Sequence, residues 1–133
     1  MPYESTWTIY AGDTDYSGRI YTPVVIDYVI KTLGEFRAGV GFPNERFENG
    51  PVVPPARNVE IEYLDAIRVD DELTIALTPS VGSTSVTHGF TGTVDGELVC
   101  EGELTVVWID TETERPVPVP EELVPELARI AEQ

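Results

Sequence analysis

The feature that most restricts the fold of this chain is one segment, residues 24–40, predicted to form a helix that is apolar around most of its circumference. Its main apolar face repeats at helical spacing and consists of Val25, Val29, Thr32, Leu33, Phe36 and Val40. Asp27, Lys31 and Glu35 form a narrow polar stripe at intervals of four residues. Because such a helix cannot face water on most sides, we expect a sheet to wrap around it. Gly34, which is costly inside a helix, predicts close approach of another backbone.

The rest of the chain reads mainly as β-structure with turn signals between the strands. Segment 39–56 is rich in Gly and Pro and is predicted to be a long loop, and residues 121–131 to be a short acidic helix. The predicted strands cover residues 3–10, 57–64, 72–81, 85–94 and 98–109. This order predicts one α+β domain over residues 1–133. One helix cannot cover both faces of such a sheet, so we expect dimerisation through the sheet edge.

Charge excludes several kinds of partner. The chain has 24 acidic residues against 8 basic ones, a formal net charge of −16, and Lys31 is its single lysine. Such a field repels nucleic acid and anionic membranes. The composition resembles that of proteins from salt-accumulating haloarchaea, where about 1 M salt shortens the Debye length to about 3 Å and screens self-repulsion.

The sequence also predicts where the protein is found. Cys100 is the only cysteine and lies in an apolar alternation, so we expect a buried thiol and a reducing, cytoplasmic location. The first residues resemble no signal peptide, and no segment approaches the length of a membrane span.

The segment with the clearest chemistry is Gly12–Tyr21, a predicted turn that carries Asp13 and Asp15 and directly precedes the helix. Backbone N–H groups at a helix N-terminus polarise a carbonyl, and a nearby carboxylate acts as nucleophile or general base. The segment also begins like a calcium loop. However, the twelfth position, which needs a bidentate glutamate, is Val24, and the ninth is Tyr21. We therefore expect no metal site here.

Three segments together resemble the hotdog fold, specifically the 4-hydroxybenzoyl-CoA thioesterase-like family. Residues 13–21 (DTDYSGRIY) are similar to the family's opening motif. Residues 59–73 are similar to its paired strands with the motif R-x-G-D-x-L, although Asp70 stands where glycine is usual. Residues 96–120 are similar to its last hairpin and its closing proline-rich tail. The resemblance covers roughly residues 6–122 and implies an antiparallel sheet around one central helix.

The resemblance implies hydrolysis of an acyl-CoA thioester without a cofactor, by a homodimer or homotetramer. It assigns the catalytic carboxylate to Asp15 and the N–H group that polarises the thioester carbonyl to Thr22, with Val24 as a second possible donor. Tyr21 is a candidate for contact with the acyl group, and Arg57 and Arg68 for contact with the CoA phosphates, although both arginines also suit surface pairing with acids. Asp13 is expected to order the turn.

Two other functions remain open at this stage. A non-catalytic acyl-CoA-binding protein needs no more side chains than the few available here. A hydroxyacyl-thioester dehydratase needs a histidine paired with an acid, and the only histidine is His88, which lies in a predicted strand far from Asp15. Glu35 is a secondary candidate for the catalytic acid, because some hotdog thioesterases use a glutamate on the helix. The sequence does not indicate which acyl group is bound.

Overall fold

A computed structural model describes residues 1–131 and contains a five-stranded antiparallel sheet with one long helix packed on it. The strands are β1 Tyr3–Thr8, β2 Val52–Val53, β3 Ala56–Tyr63, β4 Glu72–Val81, β5 Ser85–Val94, β6 Glu97–Val107 and β7 Ile109–Asp110. The helices are α1 Val24–Gly39, α2 Glu45–Glu48 and α3 Val124–Ala131. The large sheet has the order β1-β4-β5-β6-β3, and β2 pairs with β7 in a small second sheet.

Helix α1 begins directly after Pro23 and buries the face that the sequence predicts. Its buried residues are Val25, Tyr28, Val29, Thr32, Leu33 and Phe36. Trp7 in β1 donates a hydrogen bond from Nε1 to Oγ1 of Thr32 at 2.9 Å, which joins the edge of the sheet to the helix. On the polar stripe, Lys31 Nζ lies 3.1 Å from the Asp27 carboxylate. The predicted helix and its polar stripe are confirmed.

The core lies between α1 and the inner face of the sheet. Alternate residues of β4, Leu73, Ile75 and Leu77, are fully buried, and Phe90 of β5 lies on the same face. Burial of each such side chain contributes about 1.5–3 kcal/mol to folding. Buried and half-buried residues alternate along β4 and β5, because successive side chains of a strand point to opposite faces of the sheet.

Two glycines differ in what their surroundings require. At Gly102 in β6, an added Cβ would lie 2.0 Å from the backbone oxygen of Glu60 and 2.8 Å from Phe90, so only glycine fits. At Gly34 in α1, an added Cβ would meet no described atom within 4 Å. The expected close backbone approach at Gly34 is therefore wrong within this chain.

The outer edge of the sheet is the most exposed part of the fold. β3 pairs only with β6 in this sheet, and seven of its eight residues are exposed. The pairing places Glu60 opposite Glu103 and Glu62 opposite Glu101. Like charges in directly opposite positions destabilise a strand pair. This cluster of four glutamates therefore gives the sheet a strongly acidic outer surface at its edge.

The predicted loop 39–56 contains two short elements that the sequence did not indicate. Helix α2 has four residues and β2 has two, too few for a hydrophobic period to be visible. β2 exists because Val52 and Val53 pair with Asp110 and Ile109, more than fifty positions later. Such a pairing depends on the completed fold.

Candidate active site

Asp13 fixes the turn that precedes α1. Its Oδ2 accepts hydrogen bonds from the Tyr10 backbone N–H at 3.0 Å and from the Tyr28 hydroxyl at 2.5 Å. Burial and the hydrogen bond to Asp13 raise the pKa of Tyr28. The Asp13 carbonyl also accepts the Tyr21 N–H at 2.7 Å. These contacts join the turn to the first turns of α1 and agree with the expected ordering role of Asp13.

Asp15 lies two residues further, in a tight turn closed by its own backbone. Its N–H donates to the Arg19 carbonyl at 3.0 Å, and its carbonyl accepts the Gly18 N–H at 3.1 Å, with Gly18 at φ +77°. Oδ1 accepts hydrogen bonds from Ser17 Oγ at 2.5 Å and from Ser17 N–H at 2.7 Å. These hydrogen bonds, the side-chain one first, lower the pKa of Asp15. Asp15 is therefore an ionised carboxylate at neutral pH.

The second oxygen of Asp15 remains available for chemistry. Within residues 1–131, Oδ2 makes no hydrogen bond, whereas Oδ1 makes two. The arrangement holds the carboxylate in one orientation and leaves one oxygen to attack a carbonyl carbon or to take a proton from water.

Thr22 supplies a backbone donor at the start of α1. Its N–H finds no acceptor among the described residues. Val24, the second expected donor, donates its N–H to the Tyr21 carbonyl at 2.8 Å. The expectation that Val24 is a usable donor is therefore wrong, because this bond closes the turn into the helix. Since Pro23 has no N–H, Thr22 is the donor that remains at this position.

Tyr63 is a residue at this site that the sequence did not indicate. It lies at the end of β3 and donates a hydrogen bond from its hydroxyl to the Thr22 carbonyl. Burial raises the pKa of Tyr63, which remains a donor at neutral pH. No spacing relates residues 22 and 63 in the sequence, so the strand end and the helix start are brought together only by the fold.

The candidate substrate-binding residues differ in position. Tyr21 is 55% exposed beside the turn. Arg68 is also close, because Arg19 and Arg68 form an isolated β-bridge. Arg57 lies six residues from Tyr63 along β3, about 20 Å at the rise of a strand. Within one chain, the fold therefore brings Tyr21 and Arg68 to the Asp15 turn and keeps Arg57 away from it.

Two other reactive groups, Glu35 and His88, lie away from the turn, and a third, Cys100, pairs with Tyr63 in the sheet. Glu35 accepts a hydrogen bond from the Tyr3 hydroxyl at 2.7 Å, and it follows Thr22 by thirteen residues, about 20 Å along a helix. His88 is 2% exposed, and burial, with the nearby Arg37, lowers its pKa to about 3. Cys100 is fully buried, which raises its pKa to about 11.

Two further properties concern the described part of the chain. Its Asp, Glu, His and Cys side chains form no group of three suited to holding a metal ion. Among residues 1–131, no helix combines the length and apolar character needed to cross a membrane.

Comparison with known families agrees with this arrangement. A family model described as the thioesterase-like superfamily matches residues 9–127, which include the Asp15 turn, α1 and every strand of the large sheet except β1. The chain belongs to the thioesterase-like superfamily. No curated protein matches this thioesterase-like chain at a significant level.

Solved structures give the fold of this thioesterase-like protein. Slr0204, a 1,4-dihydroxy-2-naphthoyl-CoA thioesterase from Synechocystis, is similar over 100% of both chains with a TM-score of 0.91 and 13% identity. BH1999, a gentisyl-coenzyme A thioesterase, covers 93% of this chain and 98% of its own, with a TM-score of 0.84 and 16% identity. SAV2348 from Staphylococcus aureus, solved in complex with CoA, covers 98% and 84%, with a TM-score of 0.90 and 17% identity. The predicted hotdog fold is confirmed.

Proposed function

We propose that this protein is an acyl-CoA thioesterase that hydrolyses a CoA thioester to the free acid and CoA. The observation that carries the proposal is the presence, in the segment that leads into α1, of an ionised Asp15 with one oxygen available and a Thr22 N–H without an acceptor in the described chain. The family match and the SAV2348 structure in complex with CoA support the substrate class.

The reaction adds water across the acyl C–S bond. The Thr22 N–H donates to the thioester carbonyl oxygen, where negative charge develops as the carbon becomes tetrahedral. Asp15 Oδ2 either attacks the carbonyl carbon, forming an anhydride that water then hydrolyses, or removes a proton from the attacking water. The C–S bond breaks, and the departing CoA sulfur takes up a proton. Tyr63 holds the Thr22 carbonyl and so orients the backbone beside the donor.

Substrate contacts follow from what surrounds the turn. Tyr21 is exposed beside Asp15 and suits contact with the acyl group. Arg68 is exposed, adjoins the turn through Arg19 and suits contact with a CoA phosphate. It makes no ion pair with the acids of the described chain, nor does Arg57. Both arginines are therefore free to bind an anionic ligand.

A substrate panel tests this function directly. The protein is purified in molar salt and given short, aromatic and long acyl-CoAs while free thiol is monitored. Aromatic esters belong in the panel because the similar Slr0204 and BH1999 are named for such substrates. We expect thiol release with at least one class. The alternative is a non-catalytic acyl-CoA-binding protein, favoured by the presence of a single suitable side chain at the turn. CoA binding without thiol release from any ester would support that alternative.

We also propose that the active unit is a dimer joined through β3. This strand leaves one edge without a partner in the described chain and exposes two apolar side chains, Val59 (41%) and Tyr63 (37%), and Leu64 (45%) directly after it is exposed as well. An antiparallel pairing of two β3 strands about their middle brings the Arg57 end of one copy to the Tyr63 end of the other. Arg57 would thereby reach the second copy's active site. The four glutamates on the outer face disfavour stacking of two sheets through that surface.

Mixed dimers test this arrangement. Asp15→Asn and Arg57→Ala are each expected to be poorly active, the first in kcat and the second through a raised KM. If each site uses Asp15 of one copy and Arg57 of the other, an exchanged 1:1 mixture regains about a quarter of the wild-type activity, because half the dimers hold one intact site. Activity equal to the mean of the two parent variants would show that Arg57 does not act across the interface.

A further inference from the structure

Arg19 and Arg68 lie directly opposite each other in an antiparallel β-bridge beside the Asp15 turn. The Ile20 N–H donates to the Ile67 carbonyl at 2.7 Å, which makes the bridge a non-hydrogen-bonded pair. In such a pair both side chains leave the same face, with their Cβ atoms about 4.5–5.5 Å apart. The neighbouring Ile20 and Ile67 are buried, whereas both arginines are exposed. The fold therefore holds two arginine side chains next to each other at the surface.

This arrangement of two cations is unfavourable for the fold alone. Like charges in directly opposite positions destabilise a strand pair. The chain has eight basic residues against 24 acidic ones, so an acid is available for every cation. Three basic side chains do pair with acids in the described chain, but neither Arg19 nor Arg68 is among them. Two of the scarce cations are thus held together without a counter-charge from residues 1–131.

The acids closest to Arg68 do not neutralise its side chain. Asp71 Oδ2 accepts the Arg68 backbone N–H at 2.8 Å. Arg68 also lines a cavity of about 330 Å³ to which Asp65, Asp71, Asp95 and Glu97 contribute. None of these carboxylates lies within ion-pair distance of the guanidinium. Because they repel an anion from that cavity, an anion is favoured only where both arginines contribute to its binding.

The arginine pair adjoins the proposed catalytic carboxylate. Asp15 donates its backbone N–H to the Arg19 carbonyl at 3.0 Å, so the two residues belong to the same turn. Hydrogen bonds from Ser17 and, to a smaller extent, the charge of Arg19 lower the pKa of Asp15. The side chains of Asp15 and Arg19 nevertheless form no ion pair in the part of the chain that the structure describes. A substrate whose thioester lies at Asp15 therefore passes close to both arginines.

We propose that Arg19 and Arg68 form an anion clamp, which binds one oxyanion group of the thioester substrate. Guanidinium groups bind carboxylates and phosphates through parallel N–H···O bonds, and two of them suit a group with several equivalent oxygens. Two parts of an acyl-CoA have this chemistry, namely a phosphate of CoA and a second carboxylate on the acyl group. The inference rests on the proposed function, because the anion clamp adjoins the carboxylate that this function uses.

Calorimetric titration of wild type, Arg19→Gln and Arg68→Gln with unreactive ligands at one ionic strength tests the anion clamp. The ligands are CoA, pantetheine, S-butyl-CoA and its carboxylated analogue S-carboxypropyl-CoA. We expect each variant to bind the recognised anion about tenfold more weakly, because charge-assisted hydrogen bonds are lost. If the anion is a phosphate, affinity decreases for all three CoA ligands and not for pantetheine. If it is an acyl carboxylate, affinity decreases for S-carboxypropyl-CoA alone.

Arg115→Gln is the matched control, because Arg115 is also exposed and forms no ion pair within residues 1–131. It makes the chain more negative by the same amount and should bind every ligand as the wild type does. Replacing Arg19 or Arg68 removes a repulsion, so both variants should unfold at or above the midpoint of Arg115→Gln. Arginines that only support the fold would instead lower that midpoint.

The result that would overturn the anion clamp is equal affinity of the wild type, Arg19→Gln and Arg68→Gln for every ligand. Equal losses in Arg115→Gln, or no binding of any CoA ligand by the wild type, would also overturn it. None of these titrations requires hydrolysis. Anion-dependent binding without thiol release from any ester would support the anion clamp and refute the proposed hydrolysis. Thiol release with unchanged affinities in both variants would do the reverse.

Discussion

Replacing Asp15 by asparagine is expected to lower kcat for thioester hydrolysis at least about 100-fold, whichever acyl-CoA is used. The amide nearly matches the carboxylate in size but neither attacks a carbonyl carbon nor removes a proton from water. Because the half-buried Asp15 side chain bonds only to Ser17 within the same turn, the fold should persist. Free-thiol release at saturating substrate measures the effect.

The matched control is Asp13→Asn, two residues away in the same turn. Asp13 accepts hydrogen bonds from Tyr10 and Tyr28, so its replacement should mainly lower the unfolding midpoint while leaving kcat within a few-fold. Circular dichroism and gel filtration in molar salt establish that both variants keep their fold and oligomeric state. Activity of Asp15→Asn within about threefold of wild type would refute the assignment of Asp15.

The pH profile offers a second view of the same residue. Since hydrogen bonds from Ser17 lower the pKa of Asp15, the ionised form persists below the ordinary range of an aspartate. On the acidic side of the pH profile, the rate of hydrolysis by the wild type should therefore decrease only at strongly acidic pH. Ser17→Ala removes the largest cause of the lowered pKa of Asp15, so the decrease in rate should occur at a higher pH in this variant.

The sequence predicted the parts of this fold whose information is local. The period of α1 and the alternation along β4 and β5 identify these elements, and β4 and β5 begin and end where predicted. The sequence could not predict contacts that depend on chain closure. Pairing of β2 with β7 and the bond from Tyr63 to Thr22 join positions more than forty residues apart.

The candidate site likewise has a local part that the sequence predicts and a part that depends on the completed fold. The turn holding Asp15 is recognisable because its hydrogen bonds join residues within four positions of one another. The role of Val24 was wrong because closure of the turn uses its N–H, a detail of backbone geometry that residue types do not specify. In the proposed dimer, the contact of Arg57 with the site depends on a second copy of the chain, whose position the sequence of one chain does not specify.

Acid sensitivity of the folded state is expected to depend strongly on His88. Burial, then the neighbouring Arg37, lowers its pKa to about 3 in the folded protein, against about 6.5 when unfolded. Between these values the unfolded chain binds a proton at His88 that the folded chain does not. The contribution of His88 to the free energy of unfolding therefore has its full value above about pH 6.5. Below that pH it decreases by about 1.4 kcal/mol per pH unit.

His88→Gln removes this titration, and urea unfolding between pH 7.5 and 4.5 in fixed molar sodium chloride measures it. The many carboxylates also take up protons over this range, which reduces self-repulsion, but they do so in both proteins. The difference in the free energy of unfolding between wild type and variant therefore isolates His88. Below pH 6 this difference should shift against the wild type by about 1 kcal/mol or more per pH unit. His88→Phe serves if the glutamine variant is too unstable at pH 7. Parallel curves for wild type and both variants would mean that His88 is not held neutral in the core.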